Sequence, residues 1–171
     1  MHHSTFIGYL ASIYKPKIYV ELGLYEGETL SKVRPHAEIV YGIDMKSNQQ
    51  LESLKKYNNV NIIYSSTDIF FESFDKNIDM AFIDADHCIE SCKKDLENVL
   101  KRLNPGGVIL LHDTDPESDK LIDPGFCGDS YKIVDILENN LDVNITTFPI
   151  SNAGLSIVTR KGNTRKHLRS S

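Results

Sequence analysis

The chain has 171 residues, a formal net charge of −5 at pH 7, 40% hydrophobic residues and 25% charged residues, which suits one soluble domain with one sizeable core. No apolar run approaches the roughly 20 residues that span a bilayer, and "MHHSTFIGYL" lacks the basic and long apolar regions of a secretory signal. Five of the 19 Lys and Arg residues stand in 160–171 without an acid, so an acidic domain over 1–160 and a basic flexible tail over 161–171 are expected, with no membrane contact and no nucleic-acid partner.

"KIYVEL" (17–22) is a β-branched and aromatic run stopped by Gly23, and "EGETLSKVR" (26–34) after it has helix-start chemistry with acids in the first turn. "EIVYGID" (38–44) predicts a second strand, "SNQQLESLKKY" (47–57) a helix and "NVNIIYSS" (59–66) a third strand. "DMAFID" (79–84) predicts the fourth strand, and "CIESCKKDLENVLKRL" (88–103) a long helix with Ile89, Cys92, Leu96, Val99, Leu100 and Leu103 on one side. "NPGG" breaks that helix, and "GVILLHD" (107–113) is a fifth, almost wholly apolar strand. A long loop over 114–128 leads to a helix over 129–140 with Asp129 as its cap. "VNITTFPI" and "AGLSIVTR" close as strands around the turn "SNAG", which requires an antiparallel hairpin. Uninterrupted apolar strands suit a sheet covered on both faces. The predicted architecture is a single doubly wound, mostly parallel, Rossmann-like α/β sheet with a C-terminal antiparallel hairpin.

In such sheets, ligands sit beyond the carboxyl ends of the strands where the winding reverses. All five strand ends are polar: Glu21–Gly23, Asp44, 65–68, 84–87 and 112–114. Glycines at 23 and 27 let backbone pass close to a ligand, and Asp44 at a strand tip can accept ribose hydroxyls. Ser66 and Thr67 open a Ser-Thr-Asp sequence, a common helix cap. The turn is "GLYEG", with Glu26 and Glu28 at the helix start, where a pyrophosphate would be repelled but a cationic nucleoside tolerated. Cys88, Cys92 and Cys127 are odd in number and short of companion ligands, which suits free thiols in a reducing cytoplasm over disulfides or zinc.

Three stretches carry a family resemblance. "VELGLYEGET", "YGIDM" and above all "DMAFIDADHCIESCKKDLENVLKRLNPGGVILLHDT" (79–114) resemble the class I S-adenosylmethionine-dependent methyltransferases, in particular the small branch of macrocin-type sugar O-methyltransferases. The likeness spans about 17–160. It implies S-adenosylmethionine as cofactor, held by Glu21, Gly23, Gly27, Asp44, Ser66, Thr67 and Asp84, and a small-molecule methyl acceptor. It implies catalysis by His87 and Asp84, with Mg2+ or Mn2+ held by Asp84, His112 and Asp113. The chain departs from the family at His112, where sugar methyltransferases have Glu, and at Thr114, where catechol-type relatives have Asn. An imidazole there favours Mn2+ over Mg2+.

Methyl transfer to oxygen needs alignment and a way to weaken the hydroxyl proton, which histidine or a divalent cation supplies. Transfer to nitrogen and a non-catalytic nucleoside-binding role are the alternatives. With only about 16 residues before the first strand, almost no N-terminal helix is expected. The acceptor site is then open or completed by a second subunit, which leaves a homo-oligomer open.

Overall fold

The computed structural model describes residues 1–162, so most of the basic tail expected over 161–171 lies outside the described residues. Among the described residues seven strands form one sheet: β1 (Ile18–Leu22), β2 (Ile39–Asp44), β3 (Val60–Tyr64), β4 (Ile78–Ile83), β5 (Leu103–His112), β6 (Val143–Phe148) and β7 (Leu155–Arg160). Their spatial order is β3-β2-β1-β4-β5-β7-β6. The first five pair in parallel. β7 then inserts antiparallel between β5 and β6.

Strand alternation divides the core between two faces. Tyr19, Val40, Met80, Phe82 and Leu110 meet α1 (His3–Tyr14), α2 (Glu28–Val33) and α3 (Gln49–Leu54) through Ile7, Ala11, Leu30, Val33, Leu51 and Leu54. On the opposite face, Val20, Ile43, Ala81, Ile109 and Leu111 meet α4 (Thr67–Ser73), α5 (Ile89–Arg102) and α6 (Ile133–Glu138) through Phe70, Phe71, Cys92, Leu96, Val99, Ile133 and Leu137. This is the doubly wound arrangement that the apolar strand runs require. No described helix is long and apolar enough to cross a membrane.

Side-chain chemistry fixes several helix ends. Asn48 accepts from Leu51 N–H to start α3, and Ser66 accepts from Ile69 N–H to start α4. At the end of α4, Arg102 donates to the carbonyls of Phe71 and Phe74. Asp129 departs from expectation: its carboxylate accepts from Ile89 N–H at 2.8 Å, so it caps α5 across the fold. The chain beyond it makes a 3-10 turn over Ser130–Lys132 before α6.

The expectation of almost no N-terminal helix is wrong. α1 occupies twelve residues and packs on α2 closely enough that a Cβ on Gly8 would come within 2.8 Å of the Lys32 Cβ. Its sequence hides it: His2 provides no side-chain cap, and Tyr9 and Ile13 remain exposed opposite buried Ile7 and Ala11, so apolar residues surround the helix.

Candidate active site

The winding reverses between β1 and β4, and the carboxyl ends of β1, β2, β4 and β5 converge there. Gly23 N–H donates to the Ile43 carbonyl at 2.9 Å, and Asp84 N–H donates to the Leu22 carbonyl at 2.8 Å. Between these bonds, Gly23 adopts φ +84°, and a Cβ on it would lie 2.1 Å from the Asp84 carbonyl oxygen. Only glycine fits that approach. Gly27, at φ +75°, closes the turn by donating to the Leu24 carbonyl at 2.7 Å.

Two carboxylates hold this turn. Asp44 Oδ2 accepts from Leu24 N–H at 2.9 Å and Tyr25 N–H at 3.2 Å, while Oδ1 accepts from Lys46 N–H at 2.8 Å. Three of a carboxylate's roughly four acceptor sites are thereby used. The reading of Asp44 as acceptor for both ribose hydroxyls therefore meets a carboxylate that is already busy. Glu21 lies beneath the turn at 1% exposure. Tyr19 Oη donates to its Oε2 at 2.6 Å. Burial pushes the Glu21 carboxyl up to about 8, against the hydrogen bonds from Tyr19 and the Leu30 backbone and with help from Asp84. Burial thus favours the protonated form of Glu21. Glu28, expected to repel a diphosphate, is compensated by Lys32 at 2.8 Å and accepts from Ser4 Oγ at 2.9 Å.

The β4 and β5 ends bring the chemistry together. His112 Nδ1 lies 3.2 Å from Asp84 Oδ1 and 3.0 Å from Asp113 Oδ1. Burial opposes charge on His112, but hydrogen bonds to Asp113 and Asp84 outweigh it and raise the imidazole to about 10. The two acids thus favour the imidazolium form of His112 between them. Burial acts to raise Asp113, yet His112, His87 and the Cys127 thiol bring it below the usual carboxylate range. Asp113 itself sits at φ +58°, an uncommon backbone for aspartate. Its other oxygen faces His87 Nε2 at 3.4 Å.

Asp84, His87 and Asp113 offer ligand atoms that all lie within 4.8 Å of one another. These two carboxylates and one imidazole suit a divalent transition ion. His112, predicted as a ligand, can serve as one only after giving up the proton that it holds between the acids. At the β3 end, Ser66 caps α4 and the Thr67 hydroxyl hydrogen-bonds Asp95, so both residues stand at a helix start at the predicted edge.

The sequence reading missed His3, Asp95 and Cys127. α1 carries His3 to the carboxyl ends of β4 and β5, 4.2 Å ring to ring from His112 and 5.7 Å from Phe82. His3 N–H donates to Ser151 Oγ at 2.9 Å, joining α1 to the β6–β7 turn. Burial first, and then the neighbouring His112 charge, drive His3 down to about 3, so it is neutral. His3 Nδ1, His112 Nε2 and Thr114 Oγ1 are buried without a hydrogen-bond partner. Only Asp95 left a sequence signal: an acid on the same side of α5 as Cys92 and Val99.

No curated protein matches the chain. Solved structures match its fold. An O-methyltransferase from Bacillus cereus in complex with S-adenosylhomocysteine superposes with a TM-score of 0.76 at 16% identity, covering 93% of this chain and 80% of that one. The O-methyltransferase TomG from Streptomyces achromogenes, in complex with S-adenosylmethionine, gives 0.72 at 17% identity, with 94% and 80% covered. A putative caffeoyl-CoA O-methyltransferase from Staphylococcus aureus gives 0.73 at 20%, with 94% and 83% covered. A family model described as a methyltransferase domain matches residues 20–114, from the middle of β1 to just past β5 and through every strand end of the site. The chain belongs to this methyltransferase family.

Proposed function

We propose that the protein transfers the methyl group of S-adenosylmethionine to a hydroxyl oxygen of a small-molecule or sugar acceptor in the cytoplasm. The observation that carries this reading is the meeting, at one sheet edge, of a turn too close for a Cβ and a carboxylate–imidazole cluster. The cofactor complexes of the Bacillus cereus and TomG enzymes support the choice of ligand.

In this reading the methionine end lies over Gly23 and Gly27, with neutral Glu21 holding the turn from below and Asp84 meeting the ammonium. Asp44 takes a ribose hydroxyl with its remaining acceptor capacity, and Ser66 and Thr67 border the base. The acceptor oxygen attacks the methyl carbon in line: the O–C bond forms as the C–S bond breaks, and the sulfonium leaves as a neutral thioether. His112 already holds its proton, so His87 is the base. Asp113 Oδ2 faces His87 Nε2 at 3.4 Å, leaving Nδ1 to take the hydroxyl proton and steadying the imidazolium that results.

The same Asp84, His87 and Asp113 fit a divalent cation, which would supply Lewis acidity that lowers the pKa of a coordinated hydroxyl. His87 cannot be ligand and base at once, and one experiment separates the roles. S-adenosylhomocysteine is titrated calorimetrically into the wild type, Asp44→Ala and Asp113→Ala, each in EDTA and in Mn2+. Micromolar binding that weakens strongly in Asp44→Ala is expected. A Mn2+ heat lost in Asp113→Ala assigns His87 as ligand, and its absence assigns His87 as base. No binding in any arm sinks the methyltransferase reading. Binding without transfer to a panel of sugars, catechols and amines makes the chain a nucleoside-binding module.

A further inference from the structure

Asp95 is a buried carboxylate to which the reaction above gives no role. It lies on α5 at 3% exposure, among the buried acids that also include Glu21 and Asp113. Burial pushes its carboxyl up to about 6; the Thr67 hydroxyl bond opposes this, Asp68 and Asp86 add to it, and Lys94 offsets it. An asparagine could accept the same hydrogen bond with less desolvation, so simple packing does not explain an acid at this position.

Its partner Thr67 is the first residue of α4, directly after the cap Ser66. The neighbouring residues repeat the tie, with Lys94 Nζ 2.6 Å from Asp68 Oδ2. That outer pair is exposed at 61% and 47%, and such pairs contribute little. The inner Asp95–Thr67 contact, with Asp95 buried and Thr67 half-buried, adds to the Ser66 cap in fixing the start of α4. Apolar anchoring cannot do so, because Phe70, Phe71 and Phe74 grip the later part of this short helix while Ile69 in its first turn is 60% exposed. α5 begins just after His87, and Asp95 stands about 9 Å along its axis from Ile89 at ~1.5 Å per residue. One rigid helix thus connects the reacting end of the site to the β3–α4 corner.

We infer that Asp95 is a positioning residue of the cofactor site: through the Thr67 hydroxyl it sets the β3–α4 corner against which the nucleoside base rests. This role rests on the reading of Ser66 and Thr67 as neighbours of the base. The test is a cycle of S-adenosylhomocysteine affinities, by calorimetry, for the wild type, Asp95→Asn, Asp95→Ala, Thr67→Val and the double variant Asp95→Ala/Thr67→Val. Loss of the contact weakens binding about tenfold in Asp95→Ala and in Thr67→Val, the scale of one hydrogen bond, and the double variant is no weaker than the worse single one. Asp95→Asn keeps an acceptor and stays within about threefold of the wild type. Wild-type affinity in Thr67→Val, effects that multiply in the double variant, or Asp95→Asn as weak as Asp95→Ala each overturn the role. If Asp95→Ala does not fold, Thr67→Val decides. A wild type that fails to bind S-adenosylhomocysteine instead removes the cofactor reading on which the role depends, a result distinct from wild-type binding that Thr67→Val leaves unchanged.

Discussion

Substituting Gly23 with alanine attacks the fold and the proposed cofactor turn at one atom. The new Cβ would stand 2.1 Å from the Asp84 carbonyl oxygen, 2.5 Å from its carbon and 2.6 Å from the Ala85 Cα. All three are backbone atoms, so no side chain can swing away. A left-handed conformation costs alanine about 1–2 kcal/mol. Forcing β1 and β4 apart adds about 1–3 kcal/mol, the usual range for overpacking. The two backbone bonds flanking Gly23 stretch with that movement. The sum is about 2–5 kcal/mol, which for a chain of this length lowers the melting temperature by about 4–20 °C. Differential scanning fluorimetry with and without S-adenosylhomocysteine measures both consequences: a lower melt, and loss of the ligand-induced rise. Gly125→Ala serves as control, since a Cβ there meets only the Asp123 Oδ1 at 3.2 Å. If Gly23→Ala melts within ~2 °C of the wild type and keeps the ligand shift, the close approach of β1 and β4 is not what the sequence demands.

Glu21 makes stability depend on pH. Its carboxyl rises from 4.5 to about 8 in the fold, so its favourable contribution is complete below 4.5 and is lost as pH climbs through 8, by ~5 kcal/mol at most. Urea unfolding at pH 5 and pH 8 is therefore expected to show a loss for the wild type that Glu21→Gln largely removes; an equal loss in both refutes a buried neutral Glu21. His112 acts in a later window. Raised from 6.5 to about 10 by Asp113 and Asp84 against burial, it stabilises fully below 6.5, and that stability is lost as pH rises to 10. The gap between wild type and His112→Asn should narrow from pH 6 to pH 10, and an imidazole titrating near 6.5 by NMR would rule out the bridging imidazolium.

The seven strands could be located from sequence, most of them as apolar runs ended by a turn former, although β6 alternates apolar and polar residues and β5 starts at Leu103, taking in the expected break. α5 was equally plain, since Cys92, Leu96 and Val99 share one side. α1 was not, because its apolar residues surround the axis and no side chain close in sequence caps its start, the partner of His3 N–H being the distant Ser151. α4 was half visible: a cap was one of the two readings open for Ser66, and the seven residues after it are too few to display a period. The strand ends exposed most of the candidate site, as Asp84, His87, His112 and Asp113 fall within two short motifs. What spacing cannot encode is partnership across the chain. Asp129 serves α5 and not its own helix, His3 arrives beside His112 from the start of the chain, and His112 is raised because Asp84 from the end of β4 joins the adjacent Asp113 around it.

The place of β7 has a consequence for the order in which the protein can take shape during synthesis. β6 leaves the ribosome before β7, yet its one described neighbour in the sheet is β7. Until residues 155–160 emerge, β6 has nothing to join, and β5 presents an unpaired edge that includes the fully buried Ile109, Leu110 and Leu111. Such an edge is sticky. The turn holding Ser151, which fastens the start of α1, forms at the same late moment. A nascent chain can therefore build the proposed cofactor half early, but it remains aggregation-prone and without its proposed reacting edge until β7 slides into its slot.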